Sequence, residues 1–158
     1  MKNIYGITIK ELEDYFTEKK EGKYKATQVF EWLYKKRISS FSEMRNVSKK
    51  TIVDLEQDFN IDKLEIITKK TDIDVSKYLF GLSDGNKIEA VLMNHDYGNS
   101  LCISTQVGCN MGCHFCESGR LKKIRNLDSS EMVRQVLAVE NDLKIRILKL
   151  NEVHDMKV

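Results

Sequence analysis

Proline is absent from this sequence of 158 residues, and no apolar run is long enough to cross a membrane. A membrane-spanning helix needs roughly 18 or more apolar residues in succession. The N-terminal residues 1–8 also lack the uninterrupted apolar run that is found in signal peptides. These absences argue against a membrane partner, and we expect a cytoplasmic protein.

Net charge is also small. The chain has 26 Lys and Arg residues against 24 Asp and Glu residues, which gives a formal charge of +2. This excess does not by itself indicate a polyanionic partner, so any nucleic-acid interface must be argued from local clusters of charge. The apolar content of 41% is typical of a globular chain with one or two small domains.

Cysteine is scarce and confined to one segment. All four cysteines lie between positions 102 and 116. Without a secretion signal a disulfide framework is not expected, because the reducing cytosol keeps thiols free for metal or redox chemistry. The cysteine segment is therefore the first candidate for a functional site.

The first 62 residues predict a small helical domain. Thr8 and Glu11 have the spacing of a capping box at the start of one helix, and Ser48 is a candidate N-cap of a helix that ends near Phe59. Between these helices, apolar residues at helical spacing predict another helix over 25–37.

From about residue 64 the pattern changes to the period of two that is typical of strands. Strands are predicted over 64–70, 77–82 and 87–93, and Asp84-Gly85 between the last two is a hairpin signal. We therefore interpret residues 63–98 as a β-hairpin linker region.

Residues 99–158 predict the opening of a parallel α/β fold. A strand over 100–106 precedes the cysteine loop, a helix begins near Asp128 or Ser129, and a second strand is expected over 145–150. Strand, loop and helix in this order form the repeating unit of parallel α/β folds. The predicted fold class is therefore α/β, and a helical domain precedes the α/β part along the chain.

Cys109, Cys113 and Cys116 form the most specific motif of the chain. They are separated by three and two residues, so three thiolates meet in one tight loop. Such a loop can hold a 4Fe-4S cluster and leave one iron open to the amino and carboxylate groups of S-adenosylmethionine. The alternative is a structural zinc loop in a binding module without catalysis, with His114 or Cys102 as fourth ligand.

Phe115 directly precedes the last of these cysteines. An aromatic ring at this point could pack on the adenine of a bound cofactor, and packing in the core is the alternative. We keep Phe115 as a candidate cofactor-binding residue.

A resemblance to a known family is carried by four segments of the chain, which are residues 26–34, 84–93, 102–109 and 125–127. Over residues 1 to about 147 the chain resembles the radical S-adenosylmethionine enzymes that methylate C2 of adenine in 23S ribosomal RNA and transfer RNA. The resemblance implies an RNA-binding accessory domain, the start of a radical S-adenosylmethionine (β/α) barrel, a 4Fe-4S cluster and S-adenosylmethionine as cofactors, and a reductant protein as a partner.

The resemblance also assigns roles to two further residues. Glu89 occupies the position of the proton acceptor, whereas its residue pattern alone favours a solvent-facing side chain on a hairpin. Cys102 occupies the position of the cysteine that resolves a covalent protein-RNA intermediate. Taken alone, Cys102 is typical of a buried strand cysteine.

The chain departs from the family after about Ile147. In the family the methyl-carrying cysteine and a Gly-Glu-Pro motif follow the cluster loop, but this sequence has no cysteine after Cys116 and no proline. We therefore expect a truncated member with an incomplete barrel. Such a member is not expected to be active alone. A further alternative is a fragment that needs a second chain to supply the missing strands.

Basic residues support an RNA partner only weakly. One cluster follows the cysteine loop and two lie in the helical domain; their members are Arg120, Lys122, Lys123, Arg125, Lys19, Lys20, Lys23, Lys25, Lys35, Lys36 and Arg37. Each cluster alone is more often a solvated face than a phosphate site. The assignment of 23S ribosomal RNA and transfer RNA as partners depends mainly on the resemblance.

Overall fold

The computed structural model of the chain describes residues 1–110 and 121–143. Cys113, Cys116 and Phe115 lie outside the described residues, as does the predicted strand over 145–150. Two compact units divide the chain, the first containing Met1–Lys63 and the second beginning at Leu64. Within the described stretches, no helix has both the length and the apolar character to cross a membrane.

Helices form most of the first unit, as its sequence predicts. They are α1 (Ile9–Glu18), α2 (Tyr24–Glu31) and α3 (Lys49–Asp58), and short 3-10 turns cover Ile4–Gly6 and Phe41–Glu43. The helix predicted over 25–37 ends its α-helical part at Glu31 and continues as one π-helical turn, Trp32–Lys36. Two short strands, β1 (Lys2–Asn3) and β2 (Phe59–Asn60), pair in parallel.

Local hydrogen bonds and a shared apolar core stabilise this unit. The predicted capping box is confirmed, because Glu11 N donates to Thr8 Oγ1 and Thr8 N donates to Glu11 Oε2 over 2.7 Å. The predicted N-cap at Ser48 is confirmed as well, since its hydroxyl accepts from Thr51 N. The core side chains include Leu12, Phe16, Val29, Leu33 and Leu55.

Among its described residues, the second unit contains a four-stranded antiparallel sheet, a pair of short strands and one helix. The strands are β3 (Glu65–Thr71), β4 (Val75–Gly81), β5 (Lys87–His95) and β6 (Gly98–Cys102), in the order β3-β4-β5-β6. The predicted hairpin is confirmed, with Gly85 in the turn at φ 83°. Two short strands, β7 (Gln106–Val107) and β8 (Arg125–Asn126), pair with each other ahead of α4 (Ser129–Leu143).

The two faces of this sheet differ in their surroundings. Alternate side chains of β4 and β5, such as Tyr78, Phe80 and Ile88, are buried in a core that also includes Val139 of α4. The opposite face carries the intervening residues, which are exposed or half-buried. This follows from the period of two in a strand and leaves one face of the sheet accessible.

The predicted strand over 100–106 is wrong in its extent and pairing. Its first part lies in β6, which ends at Cys102 and pairs antiparallel with β5. After a break over 103–105 the chain enters β7. The strands β3 to β6 belong to the same compact unit as α4.

Replacing Thr8 with Ala should lower the free energy of unfolding by about 1 kcal/mol, because it removes the side-chain acceptor at the start of α1. Thr8→Ser retains a hydroxyl and should lose much less. Urea denaturation measures both variants, and equal losses would show that the cap contributes nothing measurable.

Candidate functional site

A cavity of about 420 Å³ opens on the second unit. Its lining comes from the neighbouring strands β4 and β5, from the break between β6 and β7 together with β7 itself, and from the two ends of the cysteine loop. Its polar and charged lining residues include Lys87, Glu89, Ser104, Gln106 and Cys109. The cavity therefore places side chains from distant parts of the sequence on a common surface.

Glu89 lies on the accessible face of β5, where it borders the cavity. Its Oε1 is 2.9 Å from Lys77 Nζ, and the two side chains are 44% and 47% exposed. Glu89 pairs with Leu79 in the sheet, so Lys77 is its diagonal neighbour on β4. The solvent-facing interpretation of Glu89 is thus correct, and the same orientation places its carboxylate at the cavity.

Cys102 shares this face of the sheet. It pairs with Val91, which lies two residues after Glu89, and paired residues in an antiparallel sheet direct their side chains to the same side. Cys102 is exposed. The interpretation of this residue as an ordinary buried strand cysteine is therefore wrong.

Cys109 follows β7 and lines the cavity with a partly exposed thiol. Its backbone N donates to Leu121 O over 2.9 Å, so the two ends of the cysteine loop are joined. Gly108 has φ 73°, and a Cβ at this position would overlap the carbonyl group of Lys122. Only glycine permits this close approach of the two backbone segments.

Ser104 connects the break in the sheet to both β5 and α4. Its hydroxyl donates to the Glu89 carbonyl oxygen over 2.6 Å. The Gln135 side chain accepts from Ser104 N over 2.9 Å and donates to Ser104 O over 2.8 Å. Gln135 is fully buried, so one side-chain amide satisfies the backbone groups that leave the ladder here.

Arg125 binds two carboxylates from different elements. Its Nε and Nη2 both lie 2.7 Å from Asp84 Oδ2 in the β4-β5 turn. Its Nη1 and Nη2 donate to the two oxygens of Glu131, whose side chain is only 5% exposed at the start of α4. The hydrogen bond from Arg125, aided by Asn86, lowers the pKa of Asp84 to about 2.

Sequence reasoning missed the two polar contacts that assemble this site. Arg125 belongs to the basic cluster that follows the cysteine loop, but its guanidinium group is occupied by carboxylates. Gln135 was not singled out, although a glutamine within the apolar face of α4 is a detectable sign of a buried polar contact.

The basic clusters are likewise partly occupied by protein partners. Lys19 pairs with Asp54 and Asp58, Lys25 with Glu21, and Lys35 with Glu31, while Lys36 stacks over the Trp32 ring. Lys20 and Lys23 have no carboxylate partner within residues 1–110 and 121–143, and the same holds for Lys122 and Lys123. Arg120 lies outside the described residues. These four lysines are the cluster members that remain available to an anionic partner.

Residues 2–61 match the family model described as the ribosomal RNA large subunit methyltransferase N-terminal domain. A probable dual-specificity RNA methyltransferase RlmN of Enterococcus faecalis is 49% identical over 141 residues, which cover 89% of this chain and 40% of that protein. One of the same description from Shouchella clausii is 47% identical, over 88% of this chain and 39% of that protein.

A solved structure agrees with these sequences. The crystal structure of a radical SAM methyltransferase from Sphaerobacter thermophilus matches with a TM-score of 0.79 and 32% identity, over 91% of this chain and 43% of the other. The chain belongs to this RNA methyltransferase family. It spans about two fifths of the length of the curated family members that it matches.

Family membership bears on the choice between an iron-sulfur cluster and zinc. In the described part of the chain, no group of three or more His, Cys, Asp or Glu side chains is arranged to hold a metal ion. Of the three motif cysteines only Cys109 falls in that part, so the comparison with the methyltransferases, and not the local geometry, favours the cluster.

Gly108→Ala should reduce the free energy of unfolding by at least about 3 kcal/mol, because the new Cβ meets backbone at a positive φ. Gly85→Ala is the matched control, since Gly85 also has a positive φ but nothing lies within 4 Å of its added Cβ. The control should lose about 1 to 2 kcal/mol. Equal losses in urea denaturation would contradict the close approach at Gly108.

Asp84→Asn should destabilise the protein at neutral pH, because it removes the charge that Arg125 binds while keeping an acceptor for Asn86 N. The folded pKa of Asp84 is depressed, so the stabilisation is present above about pH 4 and is lost as the pH falls through about 2. Thermal unfolding of the wild type and this variant should therefore converge between these pH values. Asp96→Asn, at an exposed position, should follow the wild type throughout.

Proposed function

We propose that this chain forms the N-terminal part of a radical S-adenosylmethionine enzyme that methylates C2 of adenine in 23S ribosomal RNA and transfer RNA. The observation that carries the proposal is the cavity, which brings Glu89 and Cys109 together in a chain related to RNA methyltransferases. This function places the protein in the cytoplasm, where these RNAs are found.

Cys109, Cys113 and Cys116 would hold a 4Fe-4S cluster. The described part of the motif fits this group, because Cys109 presents a partly exposed thiol to the cavity and thiolate is the ligand that iron-sulfur clusters prefer. When bound, the cluster supplies an electron to S-adenosylmethionine, which requires a reductant protein as a partner. Phe115 would pack against the adenine of the cofactor.

Glu89 would accept the proton that the adenine ring releases. Its carboxylate borders the cavity, and Lys77 restrains it from the neighbouring strand at 2.9 Å. Ser104 restrains the backbone of Glu89, so both the side chain and the main chain of this residue are positioned by hydrogen bonds or ion pairing. A carboxylate held in this way can contact the ring of an adenine nucleotide that enters the cavity.

Cys102 would help to release the methylated product. Its thiolate would attack the sulfur through which a cysteine beyond these residues holds the RNA, so that a disulfide forms while the carbon–sulfur bond breaks. The electron pair of that bond would go to the released carbon, which takes up a proton to complete the methyl group. Its exposure is consistent with this role, because a thiol must be reachable to react. Cys102 and Glu89 lie on the same face of the sheet, so one bound RNA could contact both.

The barrel of this enzyme would be incomplete in these residues. The break after β6 and the pair of short strands β7 and β8 lead into α4, which would be the first helix of the barrel. Further strands would come from polypeptide beyond these residues or from a second chain. The first unit would serve as the accessory domain that binds RNA. Its match to the N-terminal domain of ribosomal RNA large subunit methyltransferases supports this role.

Anaerobic reconstitution with iron and sulfide tests this proposal. We expect about four irons per chain and an electron paramagnetic resonance signal of the reduced protein that shifts when S-adenosylmethionine is added. Cys109→Ser should lose this iron, whereas Cys102→Ser, the matched control on β6, should retain it. Bound zinc in place of iron would instead support the alternative function, an RNA-binding module that contains a structural zinc loop and has no catalytic activity.

A further inference from the structure

Lys87 lies at the cavity, on the accessible face of β5 and two residues before Glu89. Of the described residues that line the cavity, Lys87 alone carries a positive charge. Its side chain is exposed. Lys87 and Glu89 therefore present opposite charges to the same cavity, and they lie about 7 Å apart along the strand.

The carboxylates closest to Lys87 in the sequence are bound by other cations. Glu89 pairs with Lys77 on the neighbouring strand. Asp84, three residues before Lys87, is bound by Arg125 through both Nε and Nη2. In the part of the chain that the structure describes, no carboxylate forms an ion pair with Lys87.

The sheet register explains why no residue of the neighbouring strand forms an ion pair with Lys87. Lys87 pairs with Gly81, which has no side chain to offer. Ion-pair partners in an antiparallel sheet come from the directly opposite or the diagonal residue, and the diagonal neighbour of Lys87 on β4 is the apolar Leu79. Lys87 is therefore a cation at a cavity whose neighbouring acids are occupied, and such a cation is available to an anionic ligand.

We infer that Lys87 binds a phosphate group of the RNA strand whose base enters this cavity. The inference depends on the proposed function, because it takes RNA as the ligand. A base that reaches Glu89 brings its own backbone phosphates with it, and Lys87 lies only about 7 Å from Glu89 along the strand. A lysine ammonium group suits this contact, since it binds phosphate as a point charge without demanding one orientation.

Lys87 acts in this arrangement as a substrate-binding residue that sets the position of the strand relative to Glu89. Phosphate contacts fix register and orientation without reading the base. The residue should therefore contribute to affinity for RNA of any sequence, and its contribution should weaken as salt increases.

Fluorescence anisotropy of a fluorescein-labelled RNA hairpin with an unpaired adenine in its loop tests the inference with the full 158-residue chain. Lys87→Gln should weaken binding roughly fivefold and reduce the slope of log affinity against log salt by about 0.7. Lys87→Arg retains the charge and should bind almost as the wild type does. Circular dichroism checks that each variant is folded.

Lys70→Gln is the matched control. Lys70 is an exposed lysine on β3 of the same sheet, it forms no ion pair within the described residues, and it does not line the cavity. Equal effects of Lys87→Gln and Lys70→Gln would overturn the role of Lys87 and leave the proposed function intact. Absence of RNA binding by the wild-type chain would overturn the RNA substrate itself, and the inference with it.

Discussion

The break between β6 and β7 imposes the constraint on which the rest of the second unit depends. Where a chain leaves a sheet beneath a helix, its backbone N–H and C=O groups lose their ladder partners, and burying them unpaired costs free energy. Gln135 removes this cost by pairing with both groups of Ser104. The Ser104 hydroxyl then binds the Glu89 carbonyl oxygen, so the same break fixes the strand that borders the cavity.

Arg125 restrains the turn that precedes β5. A hairpin turn is normally among the more mobile parts of a sheet, but here the turn residue Asp84 is bound by a guanidinium group that is itself anchored to the nearly buried Glu131. The start of β5, which carries Lys87 and Glu89, is thus restrained at the preceding turn by Arg125 and at Glu89 by Ser104. The Glu89 carboxylate, which Lys77 also holds, should therefore lose little conformational entropy when a ligand binds.

Features encoded by neighbouring residues could be predicted from the sequence. The capping box of Thr8 and Glu11 and the turn at Asp84-Gly85 depend on residues within a few positions of one another, and both are present. The contact of Ser104 with Gln135 spans 31 residues and that of Asp84 with Arg125 spans 41. No periodicity or local motif indicates which of many polar residues will meet across such distances, so the break in the sheet and the occupation of Arg125 could not be foreseen.

The order of the strands leaves β3 at one edge of the sheet. An edge strand exposes unpaired backbone groups that can recruit another chain. Most side chains of β3 are exposed and polar, and they include Lys69, Lys70 and Thr71. Lys69 pairs with Asp142, but Lys70 forms no ion pair within the described residues, and an exposed charge of this kind on an edge strand disfavours edge-to-edge association of two copies.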